Sequence, residues 1–166
     1  MANTYTLIQS VTVGSAGAAS IEFGSIPQTY TDLLLLCSLD QSNSSVIADI
    51  QFNGLSTNLS SRLLLGNGST ASSVTSTALR SYGTNPSDFT ASIFSSMTIY
   101  IPNYSGSTNK SVSIDAVAEN NGTSGFCSFT AGLWSASAAI TQITLIANGG
   151  NVVQHSSVSL YGIKNS

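Results

Sequence analysis

Apolar residues in this chain return at every second position and almost nowhere at helical spacing. Val46, Ala48, Ile50 and Phe52 alternate with Ile47, Asp49 and Gln51. Ile93, Met97, Ile99 and Ile101 share one parity, and Val112, Ile114, Ala116 and Ala118 repeat the pattern. Tyr5, Leu7, Gln9, Val11 and Val13 form another such set, against Thr6, Ile8, Ser10 and Thr12. Strand side chains point alternately to two faces, so a period of two marks strands that bury one face. No long segment keeps the i, i+3, i+4, i+7 spacing of a helix, and β-branched and hydroxyl residues prevail. One stretch breaks the alternation. Four leucines and Cys37 fill positions 33–37 behind a turn fixed by Pro27, which reads as a strand buried on both faces.

Turn signals separate the strands. Asn53-Gly54 is the strongest, because both residue types accept positive φ. Gly66-Asn-Gly68, Asn85-Pro86, Pro102-Asn103, Gly122 and Asn148-Gly-Gly-Asn151 follow. Residues 126–134, 140–146 and 157–162 read as further strands, and residues 134–139 as one short turn of helix. The stretch from 66 to 90 is rich in Ser and Thr and reads as the least ordered, an exposed strand pair with a polar connector or else a functional loop. The expectation is all-β: a single antiparallel β-sandwich over residues 1–166, jelly-roll-like, with about 8–10 strands. At 166 residues the chain is long enough to bury a core without staples.

Only 7% of residues are charged, against about 25% in an ordinary domain. Ser, Thr and Asn therefore wet the surface. Arg62, Arg80, Lys110 and Lys164 are scattered singly, so no basic cluster invites nucleic acid or an anionic membrane. Met1-Ala-Asn-Thr-Tyr5 has no basic region before an apolar core, and the apolar run at 33–37 is far short of a span. A surface this neutral repels its own copies weakly, which favours self-association. Cys37 and Cys127 both fall in strand-like runs and read as buried free thiols, with a disulfide between them left open.

Chemistry-bearing patterns are sparse. His155 is the only histidine, and no Gly-x-Ser-x-Gly elbow accompanies it. One histidine and two distant cysteines do not build a zinc site. Asp40 and Asp49 could meet across a loop, but the other carboxylates are well separated, and no metal or cofactor is expected. Asp32 and Asp115 read as partners for Arg62 or Lys110. Trp134 reads as core, beside Phe126, Phe129 and Leu133. Tyr82, Asn103 and Tyr104 sit in polar, turn-like surroundings and are the candidate contact surface, with no catalytic residue among them.

Several strings carry a resemblance. They include Tyr5-Thr-Leu-Ile-Gln-Ser-Val-Thr-Val13, Ile26-Pro-Gln-Thr-Tyr-Thr-Asp-Leu33, Ile50-Gln-Phe-Asn-Gly54, Tyr100-Ile-Pro-Asn-Tyr104, Thr130-Ala-Gly-Leu-Trp134 and Leu160-Tyr-Gly-Ile-Lys164. Over nearly its whole length the chain resembles small β-rich virion proteins of tailed bacteriophages, especially those of cyanobacteria and aquatic bacteria. The resemblance implies a non-enzymatic capsid decoration or head-fibre protein. It would dock on the major capsid protein as a homo-oligomer, expected to be a homotrimer. Assembly in the host bacterial cytoplasm would suit unpaired thiols. A tail-fibre module recognising a host surface glycan is the second expectation, and a polysaccharide-cleaving enzyme the third. Neither nucleic acid nor membrane insertion is expected.

Overall fold

The computed structural model describes residues 4–43, 47–82, 93–119 and 125–164. Twelve strands run through them: β1 (Tyr5–Thr12), β2 (Ser20–Phe23), β3 (Asp32–Leu39), β4 (Ile47–Phe52), β5 (Leu59–Gly66) and β6 (Ala71–Ser76). The second half adds β7 (Leu79–Tyr82), β8 (Ser95–Ile101), β9 (Lys110–Glu119), β10 (Gly125–Trp134), β11 (Ile143–Ala147) and β12 (Ser157–Ile163). Eight form one sheet in the order β1-β12-β3-β8-β9-β10-β5-β6, and four form a second, β2-β11-β4-β7. Every strand pair is antiparallel. The sequence reading places no strand at β5 and leaves β6 and β7 as an exposed strand pair with a polar connector, or else a functional loop. The last two lie in the stretch taken as least ordered, where hydroxyls stand in the places apolar residues usually mark.

The two sheets close on one core. Phe23, Phe52, Leu79 and Ile143 from the smaller sheet meet Leu33, Leu35, Ile99, Ile114, Trp134 and Leu160 from the larger, all with no exposed surface. The Phe52 and Trp134 rings sit 5.5 Å apart across the sandwich, tilted by 54°, a favourable edge-on arrangement. Trp134 is core, as its sequence suggests. Its neighbours Phe129 and Leu133 are not. They have the opposite parity along β10 and point out of the sandwich.

The leucine run corrects the expectation of a doubly buried strand. Leu33, Leu35, Cys37 and Leu39 point inward, while Leu36 stands 45% exposed on the other side and Leu34 is half-buried. Among the described residues only one face of the larger sheet has a partner layer, so a continuous apolar run here fills both a core row and a surface row. β1 is a second correction. A bulge between Leu7 and Gln9 swaps the parity midway, as an extra unpaired residue must. Tyr5 and Leu7 therefore face out, whereas Ile8 and Val11 lean on the core.

The remaining irregular segments are tied down by named bonds. Asn53 and Gly54 take φ of 53° and 70°, as the tight-turn pattern requires. The Asn53 side chain then accepts from the Thr141 and Gln142 amides and donates to the Ala139 carbonyl at 2.8 Å. Residues 134–139 form no helix. Ser135 N–H donates to the Asn58 carbonyl instead, which carries the chain away extended. The two most specific strings of the resemblance lie side by side. Thr31 N–H donates to the Ile163 carbonyl, and the Tyr30 ring covers Gly162 so closely that a Cβ there would lie 2.4 Å from it. The turn signals at Asn85-Pro86 and Gly122 lie outside the described residues.

Candidate contact face of the larger sheet

The three residues singled out as a contact surface do not converge. Tyr104 has no exposed surface, and its hydroxyl donates to the Pro27 carbonyl. Burial raises its pKa above the ordinary tyrosine value. It is a core strut between two turns, which removes it from any contact surface. Asn103 is exposed but occupies a left-handed turn, with φ of 49°. Its amide donates to the Asp32 carboxylate at 2.9 Å, and its side chain to Thr108 at 3.3 Å. Tyr82 ends β7 in the smaller sheet, half-buried, and its carbonyl accepts from Ser128. Asn103 lies toward the end where Lys110 pairs with Trp134, and Tyr82 toward the other.

Several titratable groups are spent on structure. Asp32 accepts from the Tyr100 hydroxyl at 2.9 Å, and that bond raises the Tyr100 pKa, with burial adding to it. Asp49 binds Arg80 at 2.8 Å and accepts from Asn148. Lys110 pairs with no carboxylate among the described residues. Its ammonium is fully buried and donates to the carbonyls of Gly106, Thr108 and Ala138, with the Trp134 ring 5.8 Å away. Desolvation lowers its pKa from the ordinary lysine value. His155 is exposed in the turn before β12, with φ of 71°. Among the described residues no three of His, Cys, Asp and Glu gather as metal ligands. Both thiols are free, and they differ: Cys37 is buried and Cys127 exposed on β10.

The outward face of the larger sheet is where unexplained surface collects. The smaller sheet covers only the other side. On the outward side Leu64 is 61% exposed, Val117 52% and Phe129 49%, with Leu133 near them. These four come from three adjacent strands, since Leu64 pairs with Phe129 and Val117 with Cys127. A shallow groove of about 410 Å³ runs between Leu64, Gly66, Ala71, Val117, Cys127 and Phe129, with Asp115 at its side. Across the sheet Leu7, Tyr161, Leu34 and Tyr100 stand in one register row. Beside them lies a hydroxyl field of Ser10, Ser159, Ser38, Ser96 and Thr98, in which the Ser10 and Ser159 hydroxyls bond at 3.0 Å.

Among the described residues, this face exposes three charged side chains: Arg62, Asp115 and Glu119. An apolar and hydroxyl face so poor in charge suits a protein or sugar partner better than a charged one. The signal was present in the sequence. Once Trp134 is assigned inward, a period of two sends Phe129, Ala131 and Leu133 outward. Compared with family models, with curated proteins and with solved structures, the chain matches none.

Proposed function

We propose that the chain is a non-enzymatic structural protein of a phage virion, a capsid decoration or head-fibre component. In this reading it sets itself on the major capsid protein as a homotrimer, after assembly in the host bacterial cytoplasm. One observation carries the proposal: a sheet face that no other described residues cover, with exposed Leu64, Val117 and Phe129 and, among the described residues, three exposed charges. Patches of this kind mark protein contacts. The resemblance of the Ile26-to-Leu33 and Leu160-to-Lys164 strings adds the particle as the setting. We read the sandwich as jelly-roll-like because strands distant in sequence, β1 with β12 and β3 with β8, lie side by side. Electron microscopy of the intact particle tests the placement. Density of this fold on the head is expected, and density restricted to the tail rejects it.

A second reading has its own observation. Tyr100 and Tyr161 border the hydroxyl field on β12, β3 and β8, and flat rings beside hydroxyls suit sugar recognition by a tail-fibre module. A glycan array that yields no saturable signal removes it. Polysaccharide cleavage would need two carboxylates roughly 5–10 Å apart in one cleft, and the groove on this face brings only Asp115.

A further inference from the structure

Among the described residues the larger sheet ends at β1 and β6, the smaller at β2 and β7. An edge strand presents a row of unpaired N–H and C=O groups, which proteins blunt with bulges, charge, proline or brevity. Three of these edges are blunted. β1 carries its bulge. β2 has four residues and Glu22, and β7 has four residues and Arg80. β6 has no such device. Its six residues, Ala-Ser-Ser-Val-Thr-Ser, hold no charge and no proline, and they pair with β5 in unbroken register. Ala71, Ser72, Ser73 and Thr75 are exposed.

The β5–β6 turn sets which groups reach that edge. Asn67 N–H donates to the Thr70 carbonyl, so Asn67 and Thr70 stand as a bonded pair. Bonded and non-bonded pairs alternate along an antiparallel ladder. Ser72, Val74 and Ser76 therefore exchange backbone bonds with Leu65, Leu63 and Ser61. Ala71, Ser73 and Thr75 turn both their backbone groups outward.

We propose that β6 is an interface between two copies of this chain, the two β6 strands pairing antiparallel about a two-fold axis at Ser73. A two-fold normal to the sheet keeps outward faces together, which requires partners of equal parity. With the axis at Ser73, Ala71 meets Thr75 of the partner subunit and Ser72 meets Val74 of the partner subunit. All three outward-turned residues then bond, giving about six backbone hydrogen bonds. The side chains that meet are small, hydroxyl or β-branched, and no like charges oppose, which favours cross-strand pairing. Two eight-stranded sheets become one continuous sheet. The apolar groove beside β6 then runs on toward its symmetry mate, because Ala71 lines it. The contact follows from the strand edge alone and does not rest on the virion reading. Being two-fold, it is additional to a trimer.

Sedimentation of the full chain tests it. Pairwise assembly that deepens with concentration is expected. Ser73→Lys sets two ammonium groups against each other at the axis, and Ser73→Pro removes an outward N–H that β5 does not use. Each should weaken association roughly tenfold or more, with circular dichroism unchanged. In a Cys127→Ser background, Ser73→Cys should cross-link into dimers on mild oxidation, because bonded antiparallel partners lie about 5.5 Å apart, within disulfide reach. A chain that stays monomeric at every concentration overturns the proposal, as does an assembly indifferent to both Ser73 variants, or a Ser73→Cys chain that does not cross-link. An assembly that ignores Ser73 leaves the virion reading intact. Particle density away from the head rejects that reading and leaves β6 pairing standing.

Discussion

The two faces of the larger sheet are made by the same strands and serve opposite ends. On the inner face Leu33, Leu35, Ile99, Ile114 and Leu160 lose all contact with solvent. One residue along, Leu36, Tyr100 and Phe129 remain open. Neighbours in sequence thus differ in their surroundings: one parity specifies the sandwich, and the other stays at the surface. The difference teaches that in a chain this poor in charge, hydrophobicity alone does not separate core from surface. Position relative to the second sheet does.

The sharpest test of the contrast is an inner-face deletion. Trp134→Ala removes a ring packed on Phe52 beneath both sheets. Large buried aromatics cut to alanine cost about 3–5 kcal/mol through lost transfer energy and the cavity left behind. Urea unfolding should show that loss as a lower midpoint with an unchanged slope. A loss under about 1 kcal/mol would mean the inner face is not the one that specifies the fold.

A second inner position tests polar rather than apolar burial. Lys110 lies at the end of the same face, its ammonium held by three carbonyls from two loops. Burial lowers its pKa, while those acceptors favour the charged form. Lys110→Met keeps the stem and strands the carbonyls, and should cost about 3 kcal/mol. Amide exchange should quicken at Ile140, whose N–H donates to the Tyr104 carbonyl within the same loop cluster. Full protection there would show that the lysine does not pin the loops.

How much of this was legible follows the same division. Period two, the Asn53-Gly54 turn and buried Trp134 could be read because each is a local rule with a local signal. β6 and β7 were legible only as an exposed strand pair without bounds, since Ser and Thr occupy both faces of β6 and only Leu79 marks the core side of β7. The burial of Tyr104 was hidden as well. Its Pro-Asn-Tyr-Ser setting is polar, and only the distant Pro27 carbonyl draws the hydroxyl inward. The half-exposed leucines needed the topology, because nothing in the sequence says that one sheet goes uncovered.

The two cysteines restate the contrast in a form that titrates. Burial pushes the Cys37 thiol from 9.0 up to about 12, while Cys127 lies on the open face. Below pH 9 the Cys37 thiol is neutral in both folded and unfolded chains and adds no pH dependence. Above it the unfolded chain gives up a proton that the fold retains. Stability therefore falls as pH rises, by up to about 1.4 kcal/mol per unit, until the folded thiol ionises near 12. Urea midpoints at pH 8 and pH 10 should diverge more for the native chain than for Cys37→Ala. Equal divergence would mean that Cys37 is not sealed. A thiol reagent should modify Cys127 in the folded chain and Cys37 only on unfolding.

The smallest expected change in stability falls on the outer face, and it decides whether that face is free. Leu64→Ser removes a side chain that is 61% exposed, on a strand whose inward residues stay in place. Surface substitutions away from buried features usually move stability by no more than about 0.5 kcal/mol, and the same is expected here. On the proposed virion reading, binding to the particle should respond in the opposite proportion. If Leu64, Val117 and Phe129 form the centre of a contact, Leu64→Ser should lower occupancy on particles several-fold while the unfolding midpoint barely moves. A variant that unfolds early would show that Leu64 belongs to the fold after all. A variant that is stable and still fills the particle would show that the partner of this protein docks elsewhere, and that the open face of the sheet is only solvated.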